Sequence, residues 1–410
     1  MKKDILIACQ PLDVGGVTRS LLSLLYCIDY EKYNIDLILM RNSGEFLDTI
    51  PDEVNLLEPA LNEKNYYLAK LKKFFLYTVK GYFIYNFFYK RTVGRKYKNS
   101  DFQLMAGLAR CTAARKLKKK YDIAIGYIEG FENAYIVKKV NADKKIGYIH
   151  VDYENAGLDP RFDRKIFESL DNIVLISNEN RQSFNRVFPQ FAKKSRVVEN
   201  IICRNLIKNL ANEKIQDFEL DKDYFNIVTA ARLVIKHKGL DRAVKALERL
   251  KKAGYKVRWY VFGEGADRNI LENMIEEYGL RNDFILMGER KNVYPYIEKC
   301  DVFAMPSRYE GKPIAVSEAQ VLGIVPIVTR YLSAEEQINN NIDGLILENT
   351  DEAIYYGLKR VLDDRDFLQK MKDNLAVKND DFYTGLRQFY DLLENDNKSA
   401  NKGRLAEKVL

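Results

Sequence analysis

The chain has 410 residues, which at roughly 100–200 per domain predicts two or three domains. Hydrophobic residues make up 47% and charged residues 30%, ordinary values that exclude a disordered chain, a collagen-like fibre and a small disulfide scaffold. The formal net charge of +8 admits nucleic acid, anionic lipid or an anionic small molecule as partners, so its location along the chain matters.

The chain opens with Met1-Lys2-Lys3 and runs straight into Asp4 and a short apolar strand pattern over 5–9, with no signal-peptide profile. Further strand patterns in the first half cover 35–40, 123–127, 145–149, 173–177 and 196–199. A second series covers 226–230, 257–262, 284–288, 302–306, 326–329 and 344–347. Helical patterns such as 240–253 and 267–278 lie between most of them. Nearly continuous apolar strands predict sheets covered on both faces, and strand-helix alternation predicts right-handed parallel crossovers. The series restarts near 225, after a polar stretch over 205–224 that reads as a linker. The expected division is 1–205, with a basic aromatic insertion at 62–120, a linker at 206–224, a second unit at 225–380, and a helix and polar tail at 381–410.

Between Lys64 and Lys98 lie ten Lys or Arg, no Asp or Glu, and twelve Phe or Tyr. This stretch carries +10, so the remainder nets −2 and the basicity is local. Tyr67, Leu71, Phe74, Thr78, Tyr82, Tyr85 and Tyr89 fall on one helical face. That pattern fits a core helix with a solvated basic side, or a surface that docks on anionic lipid. Nucleic acid is disfavoured because no nucleic-acid module accompanies it. The apolar run from Phe74 to Tyr89 is short and broken by Lys80, so no spanning helix is expected. Five scattered cysteines without a C-x-x-C pair argue against a disulfide framework or zinc knuckle and fit a reducing, cytoplasmic setting.

Open parallel sheets bind ligands where strands run into helices, and four such loops carry chemistry. The loop over 10–18 holds Gly15-Gly16-Val17-Thr18, which lets a ligand approach the backbone at a helix start, or simply makes a tight turn. It is not a G-x-G-x-x-G fingerprint. The loop from Ala231 to Gly239 presents Arg232 and Lys238, a pair able to neutralise a diphosphate, or a solvated basic turn. The loop over 307–318 places Glu310 before a helix and Glu318 within it. Carboxylates suit paired sugar hydroxyls, whereas the alternative is helix-dipole complementation by Glu310 and a surface Glu318. His150, one of two histidines, closes a strand and fits either a cleft or a structural role. Asp221-Lys222-Asp223 and Asp364-Arg365-Asp366 match D-x-D but follow no sheet strand, so caps and linkers account for them.

Taken together, these segments resemble the GT-B glycosyltransferases, specifically glycosyltransferase family 4, most strongly over about 225–350. The glycine-rich first loop looks like Gly15-Gly16-Val17. The G-R-L…K-G segment looks like Ala231-Arg232-Leu233…Lys238-Gly239, with alanine for the first glycine. Glu310 and Glu318 match E-x7-E, and Gly263-Glu264-Gly265 matches a G-x-G element. The resemblance implies an α/β fold of two Rossmann-like domains whose parallel sheets face each other across a cleft. It implies a retaining, metal-independent hexosyltransferase without a cofactor, using a UDP- or GDP-sugar donor. Arg232 and Lys238 would hold the diphosphate, Glu318 the ribose, and Glu310 with the backbone of Gly311, Lys312, Pro313 and Ile314 the donor sugar. Met287, Gly288, Glu289 and Asn292 would lie near the base, Gly16 near the phosphates, Gly15 and Gly263 elsewhere along the donor, and His150 near the sugar and acceptor. The expected acceptor is a glycan or polyprenyl-linked glycan of an envelope polysaccharide, handled at the inner face of the plasma membrane with 64–98 as the membrane contact. A nucleotide-sugar epimerase, a phosphorylase and a non-catalytic nucleotide-sugar or lipid-binding subunit are the alternatives.

Overall fold

The structure is a computed structural model that describes residues 2–61, 110–154, 156, 158, 160–377 and 381–394. The aromatic basic stretch at 64–98 lies outside the described residues. No helix among the described residues is long and apolar enough to cross a membrane.

Two parallel sheets organise the chain. The first contains β1 (Lys3–Cys9), β2 (Tyr33–Leu39), β3 (Val54–Leu56), β4 (Lys120–Gly126), β5 (Asn141–Ile149), β6 (Asn172–Leu175) and β7 (Ser195–Val197), in the order 3-2-1-4-5-6-7. The second contains β8 (Phe225–Ala230), β9 (Val257–Phe262), β10 (Phe284–Gly288), β11 (Val302–Met305), β12 (Val325–Thr329) and β13 (Leu345–Leu347), in the order 10-9-8-11-12-13. Register is set by apolar pairs such as Ile5 with Ile35 and Ile123, and Ile227 with Trp259 and Val302. In both sheets the strand order reverses beside the first strand, between β1 and β4 and between β8 and β11. A crevice opens at such a switch point because the flanking helices leave on opposite faces.

The period of two along each strand explains why both faces are covered. Ile5, Ile7 and Cys9 enter one apolar cluster while Leu6 and Ala8 enter the other. In the second sheet Ile227 and Val228 divide in the same way. Burying Val, Ile and Leu side chains on both faces stabilises each sheet by about 1.5–3 kcal/mol per side chain.

Two features differ from the expectations. Strand β3 is only three residues long, too short for a periodic signal. The stretch expected as a linker contains a helix, Arg204–Ala211, whose Ile207 and Ala211 are buried against the second sheet. Phe218 follows it into the same core, its ring 5.0 Å from Tyr260.

The last described helix, Thr384–Glu394, lies on the first sheet, with Phe389, Leu392 and Leu393 buried beside Ile5 and Ile7. The Tyr390 hydroxyl accepts from the Asp29 N–H at 2.9 Å, and Lys144 Nζ donates to the Leu392 carbonyl at 2.6 Å. The chain therefore passes from the first sheet to the second and back. All five cysteines are free.

Candidate active site

The carboxyl ends of β8 and β11 carry two of the four loops, and several backbone contacts lace them together. A β-carbon on Gly239, at φ +63°, would lie 2.1 Å from the Pro306 carbonyl oxygen, so only glycine allows the loops to touch there. Arg308 donates to both Asp241 oxygens at 2.7 Å and to the Ile235 carbonyl at 2.9 Å, a bidentate fork across the same seam. Arg242 Nη2 donates to the Pro306 carbonyl at 2.6 Å. These contacts bring Lys238 Nζ to 2.6 Å from Glu310 Oε1, with both side chains mostly buried. The Ser307 hydroxyl donates to the same oxygen at 2.7 Å. Glu310 is therefore held by two donors on Oε1.

Arg232 is exposed on the loop after β8. That loop rests on Gly263-Glu264-Gly265: a β-carbon would meet the Ala231 carbonyl oxygen at 2.1 Å from Gly263 and the Leu233 carbonyl oxygen at 2.4 Å from Gly265. The two glycines thus have a packing reason of their own. Gly288 has φ +74° at the end of β10, with Met287 partly covered and Glu289 exposed. Asn292 is committed elsewhere: its Nδ2 donates to the Leu210 carbonyl at 2.7 Å and to Glu213 at 2.9 Å, and its Oδ1 accepts from the Tyr294 N–H. It fastens the helix Arg204–Ala211 to the second sheet.

Glu318 is no surface residue. It lies in the helix Ile314–Val321 and is 1% exposed, with Tyr294 donating to Oε1 at 2.7 Å. Its second oxygen accepts from Arg19 Nη1 at 2.8 Å. Arg19 belongs to the helix Gly16–Cys27, after the first sheet's glycine loop. Gly16 meets the same helix of the second unit, since a β-carbon there would touch Ile314 Cγ2 at 3.4 Å. Gly15 is extended, with nothing within 4 Å of a β-carbon, so open space faces it.

His150 ends β5, and its loop reaches Gly311. A β-carbon on Gly311 would lie 3.3 Å from the His150 carbonyl oxygen and 3.1 Å from Asn180 Nδ2. His150 Nε2 lies 2.9 Å from the Tyr127 carbonyl oxygen, which can only accept, so Nε2 carries a proton. Burial lowers the imidazole pKa, outweighing Glu129, the Tyr127 carbonyl and the Asn200 side chain, which favours the neutral ring. Glu129 also accepts from the His150 backbone N–H at 2.9 Å. Lys312 sends its ammonium away from Glu310, into an ion pair with Glu199 at 2.7 Å. A cavity of about 220 Å³ borders the site there, lined in part by Lys312, Ile314 and Ser317.

The structure brings Lys238 to Glu310, Gly16 to Ile314 and His150 to Gly311, and turns Asn292 to a packing role. Sequence reasoning missed Arg19, Tyr294, Arg308 and Asn180. Arg19 had a signal: a cation in the first turn of a helix opposes the helix dipole, so its charge must serve a partner elsewhere. Among the described residues no group of three or more His, Cys, Asp or Glu is placed to hold a metal ion.

Residues 211–377 match the family model for glycosyl transferases group 1. An N-acetylgalactosaminyltransferase of Campylobacter jejuni, acting on N-acetylgalactosamine-N,N'-diacetylbacillosaminyl-diphospho-undecaprenol, is 29% identical over 215 residues, 52% of this chain and 56% of that protein. The Escherichia coli UDP-Gal:alpha-D-GlcNAc-diphosphoundecaprenol alpha-1,3-galactosyltransferase is 32% identical over 107 residues, 26% of this chain and 28% of that one. The chain thus spans about half or less of the length of these relatives. Anabaena HepE, in complex with UDP and glucose, superposes with a TM-score of 0.68 at 14% identity, over 95% of this chain and 99% of that one. At that identity the likeness speaks to the fold. Residues 211–377 are thus similar to the glycosyl transferases group 1, within a GT-B-like fold of two parallel sheets.

Proposed function

We propose that the chain is a retaining glycosyltransferase that moves a hexosyl unit from a UDP- or GDP-sugar to a lipid-linked glycan acceptor in envelope polysaccharide synthesis, with no resident cofactor. The observation that carries this reading is Lys238 Nζ at 2.6 Å from Glu310 Oε1, at the switch point of the second sheet and on the side that meets the first sheet's glycine loop. A cation and a carboxylate held together there suit a molecule with an anionic diphosphate at one end and hydroxyls at the other. The relatives that act on diphospho-undecaprenol-linked glycans and the neighbour that binds UDP and glucose support the substrate class.

The chemistry follows from those groups. Lys238 and Arg232 face the diphosphate as it gains charge, so they stabilise the transition state more than the ground state. Glu310 and the backbone from Gly311 to Ile314 position the sugar, and Glu318 receives the ribose hydroxyls. The anomeric carbon–oxygen bond to the diphosphate breaks while the acceptor oxygen bonds to the same face. The acceptor proton passes to the departing phosphate oxygen. Neutral His150 offers Nδ1 to a hydroxyl and adds no charge beside the oxocarbenium-like centre. The segment 64–98 is proposed as a peripheral contact with anionic membrane lipid.

A thermal-shift panel of UDP-, GDP-, ADP- and CMP-sugars tests the reading, because a ligand that binds only the folded state raises its stability. UDP- or GDP-sugars stabilise the wild type, and Lys238→Ala abolishes the shift. Equal shifts in the two proteins, or none with any donor, would refute it. Release of nucleotide that requires a lipid-linked acceptor separates a transferase from an epimerase or a binding subunit.

A further inference from the structure

Glu318 is 1% exposed, so its carboxylate oxygens need partners inside the protein. Its help comes from two directions. The Tyr294 hydroxyl donates to Oε1 at 2.7 Å from within the second unit, and Arg19 Nη1 donates to Oε2 at 2.8 Å from the first. The Arg19 guanidinium also lies 5.5 Å from the Tyr294 ring centroid, so the three groups form one stack. An ionised carboxylate offers about four lone-pair sites, and these donors occupy one on each oxygen. One acceptor position per oxygen remains, the number that two adjacent hydroxyls need. The helices meet at two rungs one turn apart, Gly16 on Ile314 and Arg19 on Glu318, running in the same sense.

From this geometry we infer that Arg19 is a positioning residue for donor recognition: it pairs with Glu318 and orients its carboxylate toward a vicinal diol, and does so only when the two lobes are together. The inference rests on the nucleotide-sugar reading and adds to it a residue from the opposite lobe. When the lobes part, Glu318 loses its counter-charge and its orientation together. Ribose recognition is thereby made conditional on closure. The charged and titratable groups that face this pair are Glu289, which acts on Arg19, and Tyr294 with Cys203 beside it. None of them supplies a second cation.

The test is UDP binding by calorimetry to the full chain. Arg19→Met keeps the stem and removes the charge, Arg19→Lys keeps a charge, and Tyr294→Phe removes only the other donor, in case Arg19→Met fails to fold. At pH 7.5 Arg19→Met weakens UDP binding at least 10-fold and Arg19→Lys by less than 3-fold. 2'-Deoxy-UDP binds the wild type about 10-fold more weakly than UDP but binds Arg19→Met equally, because the diol contact is already lost. Tyr294→Phe gives a smaller loss with the same dependence on the 2'-hydroxyl. Wild-type UDP binding that Arg19→Met and Tyr294→Phe leave unchanged overturns this inference alone. A wild type that binds none of UDP, GDP, ADP or CDP overturns the nucleotide reading, and this inference with it.

Discussion

Lys238 and Glu310 come from loops 72 residues apart in sequence and meet at 2.6 Å, with the Ser307 hydroxyl on the same carboxylate oxygen. Under the proposed function, the pair holds the lysine for the donor's diphosphate and leaves Glu310 Oε2 for a sugar hydroxyl. Losing one preorganised charge from a developing anion typically lowers turnover by about 10²–10³-fold. Lys238→Ala should therefore reduce the initial rate of transfer from UDP-galactose or UDP-N-acetylgalactosamine to an undecaprenyl-diphosphate-linked acceptor by that order. Glu310→Gln should keep its fold and lose less nucleotide affinity than turnover. A Lys238→Ala enzyme as fast as the wild type would remove the lysine from the reaction.

Gly239 and Gly254 both adopt positive φ, at +63° and +87°, but only Gly239 is crowded: a β-carbon there would lie 2.1 Å from the Pro306 carbonyl, while Gly254 has nothing within 4 Å. Gly254→Ala should cost only the left-handed penalty, about 1 kcal/mol. Gly239→Ala should cost several-fold more in urea unfolding and should also lower transfer, because it pushes Lys238 away from Glu310. Equal losses from the two substitutions would show that the loops yield easily.

Glu132 is buried at the start of the helix Phe131–Lys139, and burial raises its pKa to about 7. A carboxyl raised in the folded state favours the fold at low pH, and that advantage is lost as pH rises from about 4.5 to about 7. The shift corresponds to about 3 kcal/mol. Glu132→Gln should match the wild type in thermal stability at pH 5 and exceed it at pH 8. A pH-independent difference between the two proteins would mean that Glu132 does not titrate in this range.

Phe389 is fully buried in the first sheet's core, although it lies near the end of the described chain. Truncating a buried phenylalanine usually costs about 3–5 kcal/mol. Phe389→Ala should lower the urea midpoint of the first unit while leaving UDP stabilisation of the second in place. A single transition that shifts as a whole would instead show that the two units unfold together.

Much of the fold was legible because parallel strands covered on both faces must be apolar throughout, and such runs stand out at 5–9, 226–230 and 257–262. Strand β3 escaped because three residues carry no period. The helix Arg204–Ala211 escaped because Ile207 and Ala211 sit among charged and polar neighbours, and its burial depends on a sheet formed elsewhere in the chain. Arg232, Lys238 and Glu310 stood out because they lie in loops between a strand end and a helix, and the structure brings Lys238 to Glu310. Asn292 was read as lying near the base; its amide also closes the end of another helix.

Alternation of apolar strands with helices, and glycines and charges placed where strands end, were decided by local spacing, because periods of two and near four act between neighbours in the chain. The pairing of Arg19 with Glu318, the turn of Lys312 toward Glu199 and the return of Phe389 to the first core were decided by tertiary structure. Each joins residues at least 113 positions apart, and no local pattern tells a charged or apolar side chain which distant surface will bury it.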